Sequence, residues 1–221
     1  MNYTKSVEYI HSLLVFGSKP GFQRINKVLE LLDNPQDKIK CFHVAGTNGK
    51  GSTSVMLQSI CSASGLKTGL FISPFVIDFC ERIQIDGQFI PEFRLAELVT
   101  NIKGITDNLD EQFKPTEFEF ITAVAFEYFF EEKIDVAVIE TGLGGLLDST
   151  NVIKQPFAAV ITKIDIDHTD ILGDTIEKIT LQKCGIIKKK CMVISCGTQK
   201  AEVLDIIKES AKQSKSPFYV N

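Results

Sequence analysis

Apolar residues follow two rhythms along this chain. Val7–Phe16 (VEYIHSLLVF) and Phe22–Leu32 carry them three and four positions apart, which predicts helices, the first ended by the glycine and proline of GSKPG. Elsewhere they concentrate in short, mostly apolar runs: Ile39–Ala45, Leu66–Ile72, Ile134–Glu140, Phe157–Thr162, Cys191–Ser195 and the closing PFYV. Runs with apolar residues at consecutive positions, rather than alternating ones, predict strands buried on both faces. Helices fit the intervals Ser52–Ser64, Pro91–Leu109, Thr116–Glu131, Thr175–Lys189 and Gln199–Lys212. In Thr116–Glu131 the phenylalanines 118, 120, 126, 129 and 130 spread around the circumference, so that helix is expected to be buried on several sides.

Strands alternating with helices predict an α/β fold, a mostly parallel sheet with helices on both faces. Ligands of such sheets gather beyond the carboxyl ends of the strands. The residues just after Ala45, Ile72, Ile139 and Thr162 are therefore the ones to inspect. One segment departs from the pattern: RIQIDGQFI, Arg82–Ile90, alternates around Asp86-Gly87, which favours a type I′ hairpin. We expect it as a small excursion from the main sheet. The chain shows no internal repeat, low-complexity tract or flexible linker.

With 221 residues, 44% of them hydrophobic and 24% charged, the chain can bury one sizeable core and reads as one domain. A formal net charge of -4 argues against the basic face of a nucleic-acid binder, so an anionic ligand has to be held locally. No run reaches the roughly 18 apolar residues of a membrane span, and MNYTKSVEYIHS lacks a signal peptide's apolar core. The cytoplasm is the expected location. Cys41, Cys61, Cys80, Cys184, Cys191 and Cys196 are scattered without a CxxC pair, and with His11, His43 and His168 they make no clustered zinc pattern. Reduced thiols and no zinc site are expected.

HVAGTNGKGS, His43–Ser52, places small residues where a strand turns into a helix. Without side chains at Gly46, Gly49 and Gly51, backbone N–H groups at Gly46, Thr47, Asn48, Gly49, Lys50, Gly51 and Ser52 can close around phosphate, with the helix dipole behind them. Lys50 supplies a positive charge and Ser52 a hydroxyl for magnesium or phosphate. The common GxxxxGK[ST] pattern is not met: Val44 stands at its first glycine, and Gly51 separates Lys50 from Ser52. A purely structural glycine turn is the alternative, and the buried strand before and helix after favour nucleotide binding over it.

HVAGTNGKGS together with FGSKPGFQRI resembles the ATP loop and N-terminal segment of folylpolyglutamate and dihydrofolate synthases, members of the Mur ligase superfamily. The resemblance continues through SPF and ERIQIDG (73–87), FEFITAVAF (118–126), ETGLGGLLDSTN (140–151) and DHTDILGDTIEKITLQKCGIIK (167–188), and covers almost the whole chain. It implies the P-loop central domain of a Mur ligase and an enzyme that uses ATP and Mg²⁺ to join L-glutamate to reduced folate or dihydropteroate. It further implies a second, glutamate-binding domain that these 221 residues do not contain, hence a fragment with an incomplete site and negligible turnover by itself. Full-length members are expected to be monomeric.

Residue roles carry over by the same resemblance. Lys50, His168 and Lys183 would be catalytic; Ser52, Ser73, Glu140, His168 and Lys183, the last as a carbamate, would hold metal; Asp148 and Asn151 would lie on the folate side. Local sequence leaves other readings open: a solvated strand-end Glu140, a turn-forming Ser73 before proline, a surface His168, an ordinary helix lysine at 183, and an Asx turn at Asp148 and Asn151. The family usually carries an arginine where this chain has Leu146, a glutamate where it has Gln182, and often a glycine where it has Asp165. A non-catalytic nucleotide-binding module and a peptidoglycan Mur-type ligase are the competing functions.

Overall fold

Eight strands form one sheet in a computed structural model that describes residues 1–16 and 21–221. Strands β1 (Cys41–Ala45), β2 (Thr68–Phe71), β5 (Val136–Glu140), β6 (Ala158–Ile161), β7 (Met192–Ser195) and β8 (Phe218–Val220) run parallel. Strands β3 (Ile83–Ile85) and β4 (Gln88–Phe89) complete the order β4-β3-β2-β5-β1-β6-β7-β8. Each expected apolar run became a strand, trimmed by one to three residues at its ends. The expected glycine–proline stop and part of FGSKPGFQRI fall on residues 17–20, outside the described residues.

Alternate strand positions sort into different layers. Cys41, Phe71, Ala137 and Ile139 pack with helices α1 (Tyr3–Ser12), α2 (Gln23–Leu31), α4 (Glu92–Thr106) and α5 (Glu117–Glu131). On the same side, Ala45, Ala159, Ile161 and Val193 pack with α7 (Ile176–Cys184) and α8 (Ala201–Gln213). The opposite positions, Val44, Leu70, Val138, Ala158 and Val160, meet Leu57 of α3 (Lys50–Ala63). Helices thus cover both faces, unequally: α3 packs on β1, β2 and β5, while Met192 and Ile194 of β7 stay half-buried and Tyr219 is exposed.

The hairpin is not an excursion. Asp86 (φ 50°) and Gly87 (φ 76°) make the expected left-handed two-residue turn, but β3 pairs antiparallel with β2, Gly69 opposite Ile85, so the hairpin extends the main sheet and β4 is its edge strand. Residues Ile83, Gln84 and Ile85 are all buried, which only an integrated strand achieves. Helix α1 starts before the expected Val7 because Asn2 caps it, accepting from the Lys5 N–H at 3.0 Å; Leu13–Phe16 then tighten into a 3₁₀ turn that leaves Leu14 and Val15 exposed. Helix α7 ends at Cys184, short of the expected Lys189, where the Leu146 N–H takes the Gln182 carbonyl at 2.7 Å. A four-residue helix, α6 (Thr169–Leu172), had no expectation attached to it.

Helix α5 follows its pattern closely. Thr116 and Glu119 form a reciprocal capping box, and Phe120, Phe126 and Phe129 are fully buried while Phe130 reaches the surface.

Candidate functional site

Strand β1 runs straight into the glycine loop, and the loop is clamped from the side. Gly46 is required here because a Cβ would lie 1.9 Å from Thr162 Oγ1, at the end of β6. The N–H groups of Thr47 and Asn48 donate to the Lys163 carbonyl at 2.8 and 3.1 Å, and Thr47 Oγ1 donates to the Asp165 carbonyl at 3.0 Å. Those two amides are engaged by the fold. The amides left for an anion are those opening α3, where Gly49 takes φ 82° and caps the helix without a side chain. Lys50 begins α3 and its Nζ donates to the Thr47 carbonyl at 3.3 Å.

Glu140 ends β5 almost fully buried, and Oε2 accepts the Ser73 N–H at 3.2 Å. A Cβ on Gly51 would come within 3.6 Å of that oxygen, so Gly51 is the α3 residue that faces Glu140; Ser52, about 100° further round the helix, is exposed. Burial pushes the Glu140 carboxyl up to about 7, opposed by the Ser73 N–H and the Lys50 charge. A buried carboxylate with one backbone donor and no ion pair among the described residues is a hard oxygen ligand short of positive charge. Ser73 sits beside it after β2, joined to Pro74 by a cis peptide bond.

Lys183, on α7, is 2% exposed, and its Nζ donates to the Gly46 carbonyl at 2.8 Å. Burial, then the nearby Lys50 charge, lowers its ammonium to about 8, against the pull of Asp167 and Asp148. His168 is placed differently. It caps α6 with φ 46°, its side chain is 56% exposed, and its Nε2 lies 3.6 Å from Asp167 Oδ2. The fold therefore gathers Lys50, Gly51, Ser73, Glu140 and Lys183, while His168 stands at the rim. Among the described residues no three His, Cys, Asp or Glu side chains converge on one point.

Asp148 and Asn151 are both buried and organise the loop after β5. Asp148 accepts from the Leu143 N–H (2.7 Å), the Thr150 N–H (3.0 Å) and the Thr150 hydroxyl (2.5 Å). Asn151 Nδ2 donates to the carbonyls of Leu146 and Gly185 at 3.0 and 3.1 Å, tying the loop to the end of α7. Beside this loop opens a cavity of about 520 Å³, walled by Ser73, Arg82, Phe118, Gly142, Leu143 and Asp148. Its walls mix apolar surface with a few polar groups, as small-molecule sites do. Sequence reasoning missed Arg82, whose guanidinium lies over the rings of Phe75 and Phe79, and the pair His43–Thr150; a charged residue opening a buried strand was the available signal for Arg82.

Residues 44–215 match the model of the Mur ligase middle domain. The chain belongs to that family. The chain is 44% identical over 219 residues to the dihydrofolate synthase/folylpolyglutamate synthase of Bacillus subtilis (strain 168), covering 98% of this chain and 50% of that protein. Its backbone superimposes on the apo form of L. casei folylpolyglutamate synthase (FPGS) with a TM-score of 0.94 at 40% identity, covering 100% of this chain and 54% of that one. An FPGS–AMPPCP–folate complex gives a TM-score of 0.91 at 39% identity, with the same coverage. The chain spans about half the length of the curated relatives it matches.

Proposed function

We propose that this middle domain is the ATP-binding part of a cytoplasmic ligase that joins L-glutamate to a folate or dihydropteroate carboxylate. The observation that carries the reading is the placement of Lys50, Glu140 and Lys183 around the opening of α3, next to a cavity of about 520 Å³. That juxtaposition suits transfer of a phosphoryl group between two anions, where charge neutralisation and alignment supply most of the catalysis.

The free amides from Gly49 to Ser52 and the Lys50 ammonium hold the ATP phosphates. The cavity holds the pteridine end of the acid and aims its carboxylate at the γ-phosphorus. A carboxylate oxygen attacks that phosphorus and ADP leaves; the glutamate amine then attacks the acyl carbon, expels phosphate and loses a proton. Glu140 and Ser73 offer the oxygen donors for Mg²⁺, with His168 and a carbamylated Lys183 as further ligands. Bound there, Mg²⁺ would offset phosphate charge. A cation beside Glu140 would favour its carboxylate form, against the burial that raises it to about 7.

Binding measurements test the reading. The chain should bind AMPPCP in the presence of Mg²⁺, and Lys50→Ala should weaken that binding by at least about tenfold, the scale of one charge-assisted hydrogen bond. Unchanged affinity would sink the nucleotide assignment. Dihydropteroate should bind independently of a UDP-linked muropeptide; preference for the muropeptide would make this a peptidoglycan-type ligase, and binding of neither acid a nucleotide module alone.

A further inference from the structure

The centre of the sheet holds a buried histidine that none of the roles above uses. His43 lies on β1 between Ile139 of β5 and Ala159 of β6, fully enclosed, with its Nε2 2.8 Å from Thr150 Oγ1. Thr150 Oγ1 is in turn 2.5 Å from Asp148 Oδ1. A hydroxyl has one hydrogen to give. Burial raises the Asp148 carboxyl, while the Thr150 hydroxyl and the Leu143 and Thr150 amides, all donating to it, favour the carboxylate, which therefore takes the Thr150 hydroxyl hydrogen. The contact with His43 then requires an Nε2–H donating to a Thr150 lone pair, which leaves Nδ1 as a bare acceptor. Nδ1 is buried and has no partner among the described residues, a state that costs less for a bare lone pair than for an N–H.

We infer that His43 is a positioning residue for the acid-binding cavity, acting as a fixed Nε2–H donor that orients Thr150 and, through it, the Asp148 carboxylate against the Gly142–Leu143 wall. This rests on the reading of the cavity as the acid's site. Gly142 packs directly on Phe118: a Cβ at 142 would lie 2.5 Å from the ring's Cζ, so a small shift of this backbone changes the cavity's shape. Leu143 is the other wall residue that the carboxylate holds. An apolar side chain would fill the core at position 43 without an unpartnered nitrogen; the histidine keeps that burden because its donor fixes which way the Thr150 hydrogen points. The relay thus links the strand that carries the glycine loop to the wall of the neighbouring cavity.

The test has two arms on the 221-residue chain. In the first, ¹⁵N imidazole spectra should show His43 with a protonated Nε2 and a bare Nδ1, unchanged between about pH 8 and about pH 5.5. A protonated Nδ1 beside a bare Nε2 overturns the relay. In the second, His43→Leu and Thr150→Val should each weaken dihydropteroate by about tenfold and change AMPPCP by less than about twofold, with the double variant no worse than either single. His43→Gln, whose amide can donate from near the Nε2 position, should restore dihydropteroate binding to within about threefold. Equal loss of both probes, additive losses, or no rescue by glutamine means that His43 is only core. If the parent chain binds neither probe, the proposed function fails, and the Leu143 amide proton decides the relay alone. It should move upfield in His43→Leu and stay in place in His43→Gln; an unmoved signal in His43→Leu overturns it.

Discussion

Lys183 Nζ donates to the carbonyl of Gly46 at 2.8 Å, so α7 is fastened to the glycine loop by an ammonium whose surroundings resist its charge. With the group lowered to about 8, a substantial part is neutral amine in mildly alkaline solution, the form that reacts with CO₂. Incubation with ¹³C-bicarbonate should therefore give a carbamate resonance that grows as pH rises through about 8 and is missing from Lys183→Arg. A spectrum without that resonance leaves Lys183 as a structural tie and removes it from the metal-binding set.

The fold was legible because the central strands carry apolar residues at consecutive positions with few interruptions, and a sheet covered on both sides is what buries such runs. The Asp86-Gly87 turn was equally plain, yet the partner of its hairpin was not: pairing with β2 depends on an edge that local sequence does not display. At the site, both Glu140 and Ser73 lie at the ends of neighbouring parallel strands, and the Ser73 N–H reaches Glu140 Oε2. Facing was harder. Gly51 turns toward Glu140 and Ser52 turns to solvent, a difference of one helix position that the GKGS string cannot reveal. His43 stayed hidden because a histidine in an apolar run looks like any other core residue until Thr150, 107 positions on, meets it.

Gly46 offers a sharp steric prediction. An alanine there would place its Cβ 1.9 Å from Thr162 Oγ1 and 3.0 Å from Thr162 Cβ, so either the loop or the end of β6 must move. Overpacking of this kind costs about 1–3 kcal/mol. Urea unfolding should register that loss for Gly46→Ala, and adding Thr162→Ala should recover part of it by removing the nearer atom. Full stability in the single variant would mean that the loop is looser than its contacts indicate.

Arg24 and Glu119 form a mostly buried ion pair at 2.9 Å, and Glu119 also accepts the Thr116 N–H at 2.7 Å in the cap of α5. Removing one member of a buried pair leaves the other charge poorly compensated, at a cost of about 3 kcal/mol or more. Arg24→Met should show a loss of that size in chemical denaturation, with Arg24→Lys intermediate. A loss under about 1 kcal/mol would put this pair with ordinary surface pairs.

His43 and Glu140 should oppose each other in the pH dependence of stability. Burial and the nearby Lys188 charge push the His43 imidazole down to about 3, so in acid the unfolded chain takes up a proton that the folded one refuses. Stability from this source is complete above the ordinary histidine value of about 6.5 and falls as pH drops, by about 2 kcal/mol at pH 5. Glu140 acts in the other direction. Its folded value of about 7 exceeds the ordinary 4.5, so its contribution is complete below 4.5 and is lost as pH rises through 7. Between pH 7 and pH 5 that amounts to about 2–3 kcal/mol gained on acidification, close to what His43 takes away. Measured against the parent chain without divalent cations, His43→Gln should therefore gain about 2 kcal/mol on going from pH 7 to pH 5, and Glu140→Gln should lose a similar amount. Their double variant should track the parent. If His43→Gln shows the same profile as the parent, the imidazole titrates alike in both states and is not the sealed donor that its contacts describe.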